Sequence, residues 1–159
     1  MQESSANERN ELRSWRLWYR KYRLHSVFIH FPIALIPLAF LSHIFFLFTG
    51  RVFFFNTAFF VQILSLLAIL AALGTGFIGW MINYNQSLDI RFRVKILCTI
   101  IILASTFTAI LISAPLAILQ ELTPIQKENP KFLITVGLTF INCILVGIIS
   151  QNGKKTTWV

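Results

Sequence analysis

The chain has 159 residues, of which 56% are hydrophobic and 13% charged, and its formal net charge is +8. A soluble domain carries about twice that charged fraction, and this length leaves room for one domain. The basic residues lie beside long apolar runs, where they fix topology and meet anionic head groups, so the positive charge does not indicate nucleic-acid binding.

Residues 1–24 read as a polar N-terminus leading into an amphipathic helix. Ser5 and Glu8 have the spacing of a capping box. From 11 to 24, Leu12, Trp15, Trp18, Tyr19 and Tyr22 recur at helical spacing, with Arg13, Arg16, Arg20, Lys21 and Arg23 among them. Aromatic rings with a polar tip favour the head-group layer, and Arg stems reach phosphates. Trp15, Arg16, Trp18 and Arg20 are therefore expected at the lipid interface, on a helix lying along the membrane. A docking arm for a partner protein is the alternative use of such a segment.

Apolar runs follow at 26–50, 52–84, 94–119 and 132–150. Each supplies the ~20 residues that cross a ~30 Å hydrocarbon layer. The first begins too late and runs too long for a signal-peptide core and reads as an uncleaved span. Its Pro32 and Pro37 predict a bend in its first half, or a regular helix that starts near Pro32. Thr49, Gly50 and Arg51 read as a short turn.

In the second run, Ala68, Ala72 and Gly76 recur every fourth residue, as do Ala71, Thr75 and Gly79 on the adjacent face. This smooth stripe predicts close approach of another helix, with a flat cofactor as the rarer occupant. Residues 83–93 read as a polar loop. The third run repeats the device with Ser105, Ala109 and Ser113, and Pro115 bends or ends it. After a second loop over 121–131, the fourth run carries Thr135, Thr139 and Asn142, a polar line expected to face the bundle. The expected architecture is an all-α integral membrane protein: an antiparallel four-transmembrane-helix bundle over 25–150, preceded by the interfacial helix and followed by a tail over 151–159.

The basic residues set the orientation. Of 14 Lys and Arg, Arg9, Arg13, Arg16, Arg20, Lys21, Arg23, Arg91, Arg93, Lys95, Lys154 and Lys155 fall on one side of the alternating spans. Arg51, Lys127 and Lys131 fall on the other. The positive-inside rule places both termini in the cytoplasm, with the bundle in the cell (inner) membrane.

Residues able to carry chemistry are few. No Asp or Glu lies inside an apolar run, which argues against a carboxylate proton pump or cation pore. Cys98 and Cys143 form no CxxC or CxxCH pattern. No phosphate loop, nucleophile elbow or HExxH occurs, so no catalytic activity of its own is expected. The histidines are His25, His30 and His43, all in or just before the first span.

The segment His25-Ser26-Val27-Phe28-Ile29-His30-Phe31-Pro32-Ile33-Ala34-Leu35 resembles the opening of a family of bacterial four-helix membrane domains of unknown function, whose first span starts with a pattern like HPxxVHFPIAL. Thr75-Gly76-Phe77-Ile78-Gly79-Trp80 falls where that family has a TGxxDW-like segment. The resemblance covers His25 to the third span. His43 stands where members often carry an acid, Gly79 replaces the acid of the second motif, and 91–95 holds no histidine where members often have one. Members are sometimes joined to, or encoded beside, redox proteins, so the resemblance implies electron-transfer company.

Three functions follow as expectations. The first is an accessory or structural membrane subunit of a respiratory or photosynthetic redox assembly, packed against other membrane subunits or a second copy of itself. The second is a redox-active subunit in which His30 or His43 meets haem b or a quinone. These two histidines lie about 140° apart around a straight helix and ~20 Å apart along it, so they cannot clamp one haem, and a partner or second copy must supply the opposite ligand. On the structural alternative, His30 caps backbone carbonyls near Pro32 and His43 bonds across the bundle to Asn142 or Gln62. The third function is a small transporter, for which no internal repeat or intramembrane charge marks a path.

Overall fold

A computed structural model describes residues 24–83, 90–118 and 129–154. They form four helices: α1 (Leu24–Thr49), α2 (Val52–Asn83), α3 (Ile90–Ile118) and α4 (Pro130–Lys154). All four are long and apolar enough to cross a membrane, with spans at Val27–Thr49, Val52–Met81, Arg93–Ala117 and Pro130–Gln151. The segment expected to hold the interfacial helix, including Trp15, Arg16, Trp18 and Arg20, lies outside the described residues.

Local chemistry sets the helix ends. Gly50 closes α1 with φ at 68° and donates its N–H to Phe46 O at 2.8 Å, a left-handed cap that glycine adopts without a Cβ clash. The Thr49 hydroxyl receives the Arg51 N–H at 3.3 Å, so the reversal into α2 needs no longer connection. Pro130 opens α4 at the position where a missing N–H costs nothing. Asn129 caps it, its Oδ1 accepting from Lys131 N at 3.0 Å.

Of the alternatives the prolines offer, those in which a helix starts or stops at the proline need correction. α1 starts at Leu24 and runs through both Pro32 and Pro37, and α3 continues past Pro115 to Ile118. In hydrocarbon a helix loses more by exposing a run of backbone groups than by losing one bond at a proline. The polar loop expected up to residue 93 is also shorter, because α3 begins at Ile90 and takes in Arg91 and Arg93.

α1 packs on α2 and α4, and α3 packs on α2 and α4, so the helices close a ring. The end of α1 and the start of α2 and α4 meet in one cluster of Phe46, Phe55 and Phe132, with Leu116 near the end of α3 packed against it. This joining of alternate ends makes the bundle antiparallel.

Inward positions recur at steps of three and four. In α2 they include Phe55, Ala58, Gln62, Ser65, Ile69 and Ala72; in α4, Phe132, Thr135, Thr139, Asn142 and Val146. This 3.5-residue period is that of helices wrapping left-handedly about a common core. Leu, Ile and Phe face outward along the whole length, as Phe48, Phe53, Phe60 and Leu67 do. Ser, Thr, Asn, Gln and His fill much of the interior, the reverse of a soluble bundle, because lipid accepts apolar side chains and gives polar ones no partner.

Candidate functional site

The interior is layered. At the α1–α2 turn end, Phe46, Phe55 and Phe132 form an aromatic plate, with Phe46 and Phe132 edge to face at 5.1 Å. Further along, Ile36, Ile69, Ile102 and Val146 form an aliphatic plate contributed by all four helices. Between the plates lies a layer of buried polar side chains, and these are the candidate site.

His43, fully buried, comes from the last third of α1. Its ring lies edge-on to Phe132 at 5.7 Å and against Phe55 at 6.2 Å. Its Nε2 is 3.2 Å from Gln62 Nε2. An amide nitrogen can only donate, so His43 Nε2 accepts and the ring carries its hydrogen on Nδ1. The second Gln62 hydrogen goes to Thr139 Oγ1 at 3.0 Å. One amide thus links α1, α2 and α4.

The layer continues on α3. Asn142 Nδ2 donates to Thr106 Oγ1 at 3.0 Å, and Asn142 Oδ1 accepts from the Ser105 hydroxyl. Ser113 Oγ lies 3.3 Å from Thr135 Oγ1. Most hydroxyls here also return their proton to a carbonyl one turn back, as Ser65 does to Val61 O at 2.7 Å and Thr139 to Thr135 O at 2.7 Å. Among the described residues, two buried side-chain atoms have no hydrogen-bond partner, His43 Nδ1 and Gln62 Oε1. Leaving one such group unsatisfied costs ~1–3 kcal/mol.

A cavity of about 10 Å³ opens within the layer, lined by Ile36, Ala39, Gln62, Ser65, Thr106, Thr139 and Asn142. It has room for one water-sized occupant. A haem or quinone ring needs a pocket of ~300 Å³ or more, so this cavity does not fit either.

His30 is placed quite differently. It lies near the start of the first span with its side chain exposed on the outer face of α1. The structure does not bring it together with His43. Of the stripe residues on α2, Ala72 and Gly79 are buried and Ala68 and Gly76 half-buried. The polar line of α4 is inside, with Thr135, Thr139 and Asn142 all buried. Cys98 is buried and Cys143 half-buried, both as free thiols. Among the described residues, no three His, Cys, Asp or Glu side chains gather as a metal site.

Sequence reasoning did not single out Ser65 or Thr106. The available signal was the 3.5-residue seam: Ser65 follows Gln62 by three, and Thr106 lies between Ile102 and Ala109 on the inward face of α3.

Comparison with known proteins agrees with this architecture. No curated protein and no solved structure matches the chain. A family model described as "Predicted membrane protein (DUF2231)" matches residues 21–159. The match covers the whole four-helix bundle, and the chain belongs to this family of membrane proteins of unknown function.

Proposed function

We propose that the chain is an accessory membrane subunit that packs against other membrane subunits of an electron-transfer assembly, with both termini in the cytoplasm and without catalysis of its own. The observation that carries this reading is the employment of the interior polar groups. His43 is bonded to Gln62 and enclosed by Phe55 and Phe132. The cavity beside them measures about 10 Å³, so the bundle interior serves to hold four helices in register. The connection to electron transfer comes from the resemblance of residues 25–35 to a family whose members are sometimes joined to, or encoded beside, redox proteins, and the orientation from the distribution of Lys and Arg.

His30 supports a second reading. An imidazole exposed on the outer face near the start of a span is unusual in a membrane helix, and it is available to a haem b or quinone held by a partner or by a second copy of the chain. A transport role has less support, since a path would cross both the aromatic and the aliphatic plate.

The absorption spectrum of the purified, dithionite-reduced protein separates the first two readings. The accessory reading expects no Soret band with sharp α and β bands from the chain alone. It also expects the chain to migrate with larger membrane complexes on native gels after mild detergent extraction. A haem spectrum that disappears in His30→Ala, with the bundle still folded, overturns the accessory reading in favour of the second.

A further inference from the structure

We infer that the cavity between Gln62 and Thr106 is a binding site for one internal water molecule, which bridges α2 and α3 across the polar layer. Its volume, about 10 Å³, is about that swept by the centre of one water. Two of the residues that line it carry complementary needs. Gln62 is 3% exposed, and its Oε1 is a buried acceptor that no donor reaches. Thr106, also 3% exposed, accepts from Asn142 Nδ2. Its own proton is the exception in the interior. The buried hydroxyls of Ser42, Ser65, Ser113, Thr135 and Thr139 all donate to a carbonyl one turn back, and Thr106 makes no such bond.

A water that accepts from the Thr106 hydroxyl and donates to Gln62 Oε1 satisfies both groups. Its second hydrogen goes to a lone pair of Ser65 or Thr139, which line the same cavity. The molecule thereby reaches the ~3 hydrogen bonds usual for an internal water.

The same oxygens would be numerous enough to ligate a small cation. No carboxylate lies on the cavity wall, however, and an ion deep between apolar plates incurs a desolvation cost that neutral dipoles do not return. The uncharged ligand is favoured. This assignment is independent of the assembly the chain joins, so each reading can fail without the other.

Crystals of the full chain in a lipid mesophase test the site. The expected result is a density peak ~2.8 Å from both Gln62 Oε1 and Thr106 Oγ1. Thr106→Ser keeps the hydroxyl and should keep the peak, whereas Thr106→Val removes the donor and should lose it. An empty wild-type cavity, or a peak unchanged in Thr106→Val, overturns the assignment. Crystals grown in rubidium chloride identify the occupant, because an anomalous peak at this position would mean a cation and overturn the water. If Thr106→Val does not fold, the wild-type and Thr106→Ser maps decide the question on the same criteria.

Discussion

The Nε2 atoms of His43 and Gln62 lie 3.2 Å apart between an aromatic and an aliphatic plate, and the same Gln62 nitrogen donates to Thr139 at 3.0 Å. Removing either partner of the His43–Gln62 pair strands the other where no bulk water reaches. Gln62→Leu and His43→Leu should each destabilise the bundle by ~1–3 kcal/mol, measured by unfolding in mixed micelles. The double variant should lose less than the sum, with a coupling of about 0.6 kcal/mol and an upper bound near about 1.7 kcal/mol, as found for hydrogen bonds between membrane helices. Strict additivity would mean that the contact carries no energy.

The aromatic plate makes a different prediction. Phe132 meets His43 at 5.7 Å, Phe46 at 5.1 Å and Phe55 at 6.0 Å. At ~0.5–1.5 kcal/mol for each ring contact, Phe132→Ala should cost about 2–4 kcal/mol. Phe48 is 81% exposed on α1, so Phe48→Ala should change stability by less than about 0.5 kcal/mol. Equal effects in the same unfolding assay would show that the rings act through lipid contact and not through the plate.

How far the sequence could lead is visible in these same residues. The spans were legible because nothing but a transmembrane helix tolerates ~20 apolar residues in a row. Their ends were less so. α4 reaches Lys154 and α3 reaches back to Ile90, past the apolar runs that mark the spans, because a helix can continue into polar sequence where water or head groups accept its side chains. The inward face was hard to read because small and apolar residues stand on both faces, and beyond the small-residue stripes of α2 and α3 it was the polar line Thr135, Thr139 and Asn142 on α4 that announced it. The partner of His43 was narrowed to Asn142 or Gln62. Choosing between them requires the register of α1 against α2, which the turn at Gly50 and the packing of Phe46 on Phe55 set. Asn142 is instead taken by Ser105 and Thr106.

Position on the helix, not residue size alone, should decide the effect of enlarging small residues on α2. Ala72 is buried at 8% exposure, and Ala72→Leu forces three extra carbons into a filled space, at ~1–3 kcal/mol. Gly76 is half-buried and Gly76→Leu should cost less. A Cβ on Gly74 would meet nothing within 4 Å, so Gly74→Leu should stay within about 0.5 kcal/mol of the wild type. Thermal stability in detergent that falls most for Gly74→Leu would reverse the inner and outer faces of this helix.

The turn between α1 and α2 offers a test by backbone alone. Gly50 holds φ at 68° and donates to Phe46 O at 2.8 Å. Ala at this position places a Cβ against its own carbonyl, and Gly50→Ala should cost about 1 kcal/mol. Gly50→Asn should cost less, because a short polar side chain tolerates the left-handed region. If Ala and Asn are equally benign, the cap does not constrain the reversal.

The distribution of basic residues predicts which way the bundle stands. An even number of spans puts 24 and 154 on one face, and the Gly50 turn with the end of α3 and the start of α4 on the other. By sequence, 11 of the 14 Lys and Arg are assigned to the first side. Translocating that segment would carry them across the membrane against the positive-inside bias. Single cysteines at Asn152 and at Gln126, in a background of Cys98→Ala and Cys143→Ala, give opposite expectations. An impermeant maleimide added to intact cells should label Gln126→Cys and leave Asn152→Cys untouched until the membrane is opened. Labelling of Asn152→Cys from outside would place both termini outside and remove the cytoplasmic orientation. Labelling of both positions would require an even number of crossings between them, which the single helix α4 does not supply.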